Sequence, residues 1–121
     1  MDHWRFYKTE QGGDVVRDAL DELRVAHKAA IIDVARRYTR SELLADELET
    51  IETGLFALRV NVDGCALRLY FGKVGRGGAI CLAVHVLNKK SQKVPKKDLD
   101  TARRRLREWN SRVYRLKRGA D

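Results

Sequence analysis

Apolar residues in the first part of the chain recur at helical spacing. Residues 3–8 form a short aromatic run before Gly12 and Gly13, which predicts a strand ending in a turn. Two amphipathic helices are predicted next, the first capped by Asp14 and the second beginning after a break near residues 25–27. Their apolar positions are Val16, Ala19, Leu20 and Leu23, then Ile31, Val34, Ala35 and Tyr38. Residues 41–51 are predicted as a third short helix or a helical linker.

From Leu55 the apolar period changes to two, which is typical of strands. Residues 55–62 and 65–73 flank Asp63-Gly64, a dipeptide that favours a type I′ hairpin turn. A second turn at residues 75–78 leads into the nearly continuous apolar segment 79–87, as expected for a strand at the centre of a sheet. The three segments together predict an antiparallel meander.

A long C-terminal helix is predicted to begin at Pro95, after a loop at residues 88–94. Its apolar stripe has alternating spacings of three and four: Leu99, Ala102, Leu106, Trp109, Val113 and Leu116. Arg104, Arg112 and Arg115 are predicted to project from the opposite side. The expected fold is α+β, with an N-terminal strand and two helices packed on a three-stranded meander and followed by the long helix. We expect residues 1–121 to form one domain.

Positive charge is concentrated in the C-terminal third of the chain. The sequence has 25 Lys and Arg against 17 Asp and Glu, a net charge of +8, but residues 1–84 carry 12 basic and 13 acidic side chains. Residues 85–118 carry 13 basic and three acidic ones. A field localised in this way favours a polyanion partner such as nucleic acid. A merely solvated basic tail is the alternative.

Cysteine spacing and hydropathy argue against a zinc protein, a disulfide-stabilised protein and a membrane-spanning protein. Cys65 and Cys81 lack the spacing of a zinc site or a disulfide framework, so buried free thiols and no metal site are predicted. No apolar run is long enough to span a bilayer, and acidic and basic residues are scattered through the first 25 positions. A cytosolic protein with no membrane contact is expected.

The hairpin brings two arginines together. If Asp63-Gly64 fixes the register, apolar residues face apolar residues along one whole face, which supports that register. On the other face Arg59 falls directly opposite Arg68, with Tyr70 two residues along. Two opposed like charges destabilise a strand pair unless something neutralises them. The two interpretations are a phosphate bound between the guanidinium groups and a nearby carboxylate, for example an Asp or Glu of the helices that lie over the sheet.

His85 and a lysine cluster extend this surface. His85 has the parity of Cys81 and Ala83, on the side away from Leu82 and Val84, and it shares the arginine face if the meander register continues. Five lysines lie in the ten residues that follow the third meander strand: Lys89, Lys90, Lys93, Lys96 and Lys97. A solvated loop would look the same, but beside two arginines the lysines predict one surface suited to a phosphate backbone.

The order of elements and these motifs resemble the phage-derived HigB-like branch of the RelE/ParE toxin superfamily. The likeness covers about residues 4–109, and its most specific part is the motif KKSQKVP at residues 89–95. Arg59 and Arg68 match the family's arginines, and Lys89, Lys90 and Lys93 match its lysine cluster. The sequence departs from the family at Val94, where Thr is frequent, and at Leu87, where an aromatic residue is frequent. Residues 110–121 form a basic extension past the usual end.

The resemblance implies a microbial-RNase-like α+β fold and a ribosome-dependent endoribonuclease that cleaves mRNA in the ribosomal A site. It also implies an antitoxin partner, typically one with a helix-turn-helix domain, and no cofactor. Two other classes stay open at this point. They are a ParE-like toxin that binds DNA gyrase without cleaving RNA, and a catalytically idle RNA-binding module.

Metal-free RNA cleavage requires groups that hold the phosphate, stabilise its extra charge and transfer protons. Arg68, with Arg59 behind it, is predicted to hold the phosphate because a guanidinium fork matches phosphate oxygens. Lys89 or Lys90 is predicted to stabilise charge. His85 or Tyr70 is predicted to transfer the proton. Further nucleic-acid contacts are predicted at Lys93, Lys96, Lys97, Arg104, Arg112 and Arg115.

Overall fold

The computed structural model describes residues 3–89 and 96–119. The elements in chain order are β1 (Trp4–Phe6), α1 (Val15–Asp21), α2 (Val25–Thr39), β2 (Leu48–Glu52), β3 (Leu55–Val62), β4 (Cys65–Val74), β5 (Ile80–Lys89) and α3 (Lys96–Gly119). The strands form one sheet in the order β1-β5-β4-β3-β2. β1 pairs parallel to β5, and the other pairs are antiparallel. The predicted α+β class, with a meander between the N-terminal elements and a long C-terminal helix, is confirmed.

Alternate residues of β4 point into two different helical layers. On one face the ring of Phe71 meets the rings of Trp4 and Tyr38, each at 5.1 Å between centroids, beneath α2. On the other face Leu106 of α3 packs so closely over Gly72 that a Cβ there would lie 2.6 Å from its Cδ1. Because helices cover both faces, side chains at the centre of the sheet are removed from water on either side.

The predicted hairpin register is confirmed. Asp63 and Gly64 have φ angles of 52° and 76°, the left-handed values that both central residues of a type I′ turn need. The register places Arg59 opposite Arg68 and Ala57 opposite Tyr70. The two arginines therefore share the sheet face that α3 covers.

The prediction of a helix or helical linker at residues 41–51 is wrong, since part of this segment forms β2. Leu48 pairs with Leu58 of β3, so β2 adds an edge strand to the meander. Glu47, just before β2, accepts hydrogen bonds from Arg37 Nη1 and Nη2 at 2.6 and 2.8 Å. Local propensity favoured a helix, but strand pairing and this ion pair with α2 decide the conformation.

A bulge in β5 changes the face on which His85 lies. Tyr70 of β4 pairs with His85, whereas the next residue, Phe71, pairs with Ala83. Val84 is the extra residue, and it reverses the alternation of side chains along β5. The predicted parity of His85 with Ala83 is therefore wrong. His85 nevertheless shares the face of Arg68 and Tyr70, because the bulge turns it there.

The helix ends differ slightly from the sequence-based prediction. The break between the first two helices lies at residues 22–24, because α2 already begins at Val25. Asp14 occupies the N-cap position of α1 but makes no side-chain cap hydrogen bond. Pro95, the predicted first residue of the long helix, lies outside the described residues.

The apolar stripe of α3 packs on the core up to Trp109, and Ala102 is fully buried. Leu116, predicted to continue the stripe, is 68% exposed. Arg112 does not project away from the domain as predicted. It lies about 100° around the helix from the stripe, and its long side chain reaches back to the Lys8 carbonyl at 2.9 Å and over the ring of Trp109.

Cys65 and Cys81 are both free thiols, as predicted. Cys81 is buried, but Cys65 is only half-buried at the end of the hairpin, so the predicted burial is wrong for Cys65. Burial raises the pKa of the Cys81 thiol. None of the helices in the described ranges is long and apolar enough to cross a membrane.

Candidate anion-binding active site

Strand pairing brings four predicted site residues onto two neighbouring rows of one sheet face. Arg59 and Arg68 face each other across β3 and β4. Tyr70, two residues along β4, pairs with His85 of β5, and the two rings lie 6.0 Å apart between centroids. α3 covers this face of the sheet. The pleat and the bulge thus gather the two arginines, the phenol and the imidazole in one place.

Arg68 is a buried cation with unfilled hydrogen-bonding capacity. Only 6% of the residue is exposed, and its Nε and Nη1 have no hydrogen-bond partner within residues 3–89 and 96–119. Buried donors without partners cost free energy, and a buried charge without a counter-charge costs more. An anion that reached the guanidinium would remove both costs. This arrangement is the strongest indication of a ligand site in the described structure.

The carboxylate alternative holds for Arg59 and not for Arg68. Arg59 Nη1 lies 3.5 Å from Glu49 Oε2, in a half-exposed ion pair between β3 and β2. Sequence reasoning missed this partner because it did not predict β2. Arg68 forms no ion pair with any described carboxylate, so the positive charge at the centre of the face is only partly balanced.

Tyr70 is fully buried and keeps its proton. Burial is the main reason that the pKa of its hydroxyl is raised, with Glu49 and Asp98 adding to the rise and Arg68 opposing it. The hydroxyl also lacks a partner among the residues that the structure describes. A neutral phenol of this kind can donate a hydrogen bond to an anion beside Arg68, and it is a poor proton acceptor.

His85 is tied to α3 by a contact that the sequence analysis did not foresee. Its Nε2 lies 2.7 Å from Oδ1 of Asp98, in the first turn of α3. The contact joins the end of β5 to the start of α3. An acidic residue in a first helical turn is common, so only the docking of α3 identifies Asp98 as a partner of His85.

Arg105, which also lies in α3, forms a hydrogen bond at the bulge of β5. Its Nη1 donates a hydrogen bond to the Val84 carbonyl at 2.8 Å, and burial lowers the pKa of the guanidinium. Val84 is the residue that β4 leaves unpaired. Arg105 therefore satisfies the backbone at the point that turns His85 toward Arg68.

The structure describes only some of the predicted lysines, and it shows different surroundings for the predicted arginines of α3. Lys89 pairs through its backbone with Ala66 at the end of β5, one row beyond Arg68, while Lys90 and Lys93 lie outside the described residues. Three predicted contacts are exposed at the start or on the outer side of α3: Lys96, Lys97 and Arg104. Arg115 is exposed too, but it lies 3.1 Å from Glu10.

Metal-ligating residues do not cluster within the two described ranges, where no group of three or more His, Cys, Asp or Glu could hold an ion. The described side chains at this face offer guanidinium, phenol, imidazole and carboxylate groups. Together they can bind an anion, neutralise it and move a proton near it.

Within the described residues, a small α+β fold holds a buried arginine with unfilled donors beside a tyrosine and a histidine, which makes this face a candidate anion-binding site. Residues 18–107 match the model of the family described as phage derived protein Gp49-like (DUF891), so the chain belongs to this family. Two relatives from Mycobacterium tuberculosis, strains CDC 1551 / Oshkosh and ATCC 25618 / H37Rv, are both named "Probable endoribonuclease HigB1". Each is 27% identical over 110 residues, covering 90% of this chain and 86% of the relative.

These matches confirm the resemblance to phage-derived HigB-like toxins. At the level of the family, the protein is a toxin of a toxin–antitoxin system, and an antitoxin is its partner.

Proposed function

We propose that the protein is a toxin endoribonuclease that cleaves ribosome-bound mRNA without a metal ion. The observation that carries the proposal is Arg68, a buried guanidinium with two donor atoms that find no partner among the described residues, on a face that also holds Tyr70 and His85. An RNA phosphate supplies a counter-charge for Arg68 and accepts hydrogen bonds from its Nε and Nη1. The name of the relatives supports ribonuclease chemistry, and the basic C-terminal third supports an RNA partner.

The reaction follows from the groups on this face. The ribose 2′-oxygen attacks the adjacent phosphorus, the bond from phosphorus to the 5′-oxygen breaks, and a 2′,3′-cyclic phosphate and a 5′-hydroxyl end result. One proton leaves the 2′-hydroxyl for a base, and a solvent water molecule gives one to the departing 5′-oxygen; the hydroxide that remains then takes the proton from the base. Arg68 holds the phosphate and stabilises its developing charge, because a fixed guanidinium needs no reorganisation during the reaction. His85 is the proton acceptor, and Tyr70 donates a hydrogen bond to the phosphate.

Residues around this centre extend the contact with RNA. Arg59 lies half exposed beside Arg68 and is only loosely paired with Glu49, so it can bind the next phosphate along the strand. We assign charge stabilisation to Lys89 and Lys90 and backbone contacts to Lys93, Lys96 and Lys97. The ribosome supplies the correct placement of mRNA, so free RNA is a poor substrate.

Cleavage on translating ribosomes tests the proposal. The protein is stripped with EDTA, exchanged into metal-free buffer and added to ribosomes that keep the Mg²⁺ they need, with mRNA ends mapped by primer extension. We expect cuts with the wild type, loss of cuts with Arg68→Met, and little cleavage of naked mRNA. The matched control is Arg24→Met, which removes an exposed arginine at the start of α2.

Two results would overturn the proposal in different ways. Intact mRNA together with inhibited gyrase supercoiling would identify a ParE-like toxin. Intact mRNA with salt-sensitive RNA binding and no effect on gyrase would identify a binding module without catalysis. Cleavage that returns only when a transition metal is restored would overturn the metal-independent chemistry alone.

A further inference from the structure

The His85–Asp98 contact is a short contact between shielded side chains of two different elements, unlike an exposed ion pair within one helix turn. It joins Nε2 of the imidazole to Oδ1 of the carboxylate at 2.7 Å, and both side chains are largely shielded, with 18% and 22% of them exposed. An ionised carboxylate can only accept hydrogen bonds, so the ring nitrogen that faces it carries a proton. In the neutral ring this leaves Nδ1 unprotonated.

Two features of α3 act on the same imidazole. Asp98 faces the ring, and Arg105 donates to the Val84 carbonyl at the bulge that turns His85 onto the Arg68 face. Nδ1 has no hydrogen-bond partner within the described ranges. The neighbouring groups are Tyr70 and Arg68 of β4, of which Tyr70 pairs directly with His85. The ring is therefore fixed on one side by α3 and open to a ligand through one nitrogen.

We infer that Asp98 is a positioning residue, which holds neutral His85 in the Nε2–H tautomer and so makes Nδ1 the atom that accepts the proton of the attacking 2′-hydroxyl. This inference rests on the proposed function and adds the identity and source of the catalytic proton acceptor. When Nδ1 takes the proton the ring becomes positive, and Asp98 then stabilises it. The device resembles any histidine base oriented by a buried carboxylate, in which the carboxylate selects the tautomer without itself becoming protonated.

Asp98→Asn tests the inference, because the amide keeps the shape of the side chain but can present an N–H to the ring. The matched control is Asp100→Asn, an exposed acid two residues along α3 that contacts Arg103. We expect Asp98→Asn to lower the single-turnover cleavage rate by about 10² to 10⁴-fold, the range of general acid–base catalysis. RNA binding should match that of the control, since neither variant changes the phosphate-holding groups.

A second measurement reads the tautomer directly and needs no catalysis. Nitrogen-15 spectra of His85, assigned with a His85→Gln variant and followed over pH to the neutral ring, should show a protonated Nε2 and an unprotonated Nδ1 in the wild type. In Asp98→Asn the Nδ1–H form should appear. A wild-type ring protonated at Nδ1, or a cleavage rate in Asp98→Asn equal to that of Asp100→Asn, would overturn the inference.

The two readouts also separate the inference from the function on which it rests. If the wild type cleaves RNA and Asp98→Asn cleaves it equally fast, Asp98 has no positioning role while the nuclease proposal stands. If the wild type cleaves no RNA, the nuclease proposal fails and the catalytic role of Nδ1 fails with it. The nitrogen spectra then decide only whether Asp98 selects the tautomer.

Discussion

At the scale of single residues, Arg68 combines burial, charge and missing partners. A side chain of this kind destabilises the protein that carries it unless a ligand is present, and function at such sites is commonly held at some expense of stability. Glu49 relieves the charge of Arg59 next to it, but no described carboxylate reaches Arg68. The guanidinium is thus prepared to bind an anion in the free protein.

Arg68→Met should leave the melting temperature equal or higher, because it replaces an unpaired buried cation with an apolar side chain of similar length. Sulfate should raise the melting temperature of the wild type more than that of the variant, since an anion that binds only the folded state stabilises it. Thermal melts of both proteins with and without sulfate give the answer. A variant destabilised by several kcal/mol, in the range for a broken buried pair, and indifferent to sulfate would mean that Arg68 is a structural ion-pair member.

At the scale of elements, β2 depends on an ion pair with α2. Arg37 donates two hydrogen bonds to Glu47, which also accepts one from the Leu44 backbone at 2.8 Å. The hydrogen bonds from Arg37 are the main reason that the pKa of Glu47 is lowered from 4.5 to about 2. A single carboxylate therefore ties the loop before β2 to the helix that packs on the sheet.

The contribution of Glu47 to stability should disappear in acid. Its folded-state pKa lies below the unfolded value, so the stabilisation is present above about pH 5 and is lost as the pH falls from about 4.5 to about 2. Glu47→Gln should lower the urea midpoint at pH 7 and have little effect at pH 2. Glu42→Gln, at an exposed position in the same loop, is the control. Equal losses at both pH values would show that charge is not responsible.

The second half of α3 is attached to the segment after β1 by a cluster of aromatic and charged groups. The Tyr7 hydroxyl donates to Glu108 at 2.9 Å, and Arg112 pairs with Glu108 while lying over the Tyr7 and Trp109 rings. Arg112 lowers the pKa of Glu108, and burial raises the pKa of the Tyr7 hydroxyl. The cluster adds polar and cation–π contacts beside Trp109, the last residue of the stripe that packs on the core.

Arg112→Gln should destabilise the protein by about 1–3 kcal/mol, the usual cost of losing hydrogen bonds to a charged, partly buried group. Arg104→Gln, on the outer side of the same helix, should change the free energy of unfolding by less than about 0.5 kcal/mol. Urea denaturation compares the two directly. If both variants have the same free energy of unfolding, the contacts that Arg112 makes with Glu108 and the Lys8 carbonyl do not stabilise the protein.

At the scale of the whole molecule, the exposed cations of α3 form a line. Five of them lie within an arc of about 80° on the side away from the sheet and extend over about 32 Å of helix. They are Lys97, Arg104, Arg107, Arg115 and Arg118. The line fits the RNA partner that we propose, and the proposed active-site face lies near the N-terminal end of α3.

Replacing Arg104, Arg107 and Arg118 by Gln should weaken ribosome binding and reduce its dependence on salt, because fewer counterions are released. Stability should not change, since these side chains are exposed. The control is Arg24, Arg36 and Arg40 replaced by Gln, which removes the same charge from exposed positions at α2. If both triple variants bind equally, total charge governs the association and the helix face does not.

The sequence alone determined the α+β class, the hairpin and the pairing of Arg59 with Arg68, because these depend on local spacing. Alternating apolar residues and Asp63-Gly64 specify the hairpin register, because a shift by one residue would turn the apolar side chains to the other face. An apolar stripe at helical spacing specifies α3. The resemblance to the toxin family depended on motifs that are contiguous in the chain. None of these features needs knowledge of distant contacts.

Only the tertiary structure decided which partners the site residues have. β2 formed through pairing with β3 and the Arg37–Glu47 contact, a bulge at Val84 set the face of His85, and docking of α3 brought Asp98 to the imidazole. Each is a contact between segments separated along the chain, whose energy exists only once the sheet and helices have packed. Arg112 belongs with them, because a flexible side chain on the flank of a helix takes its direction from its neighbours.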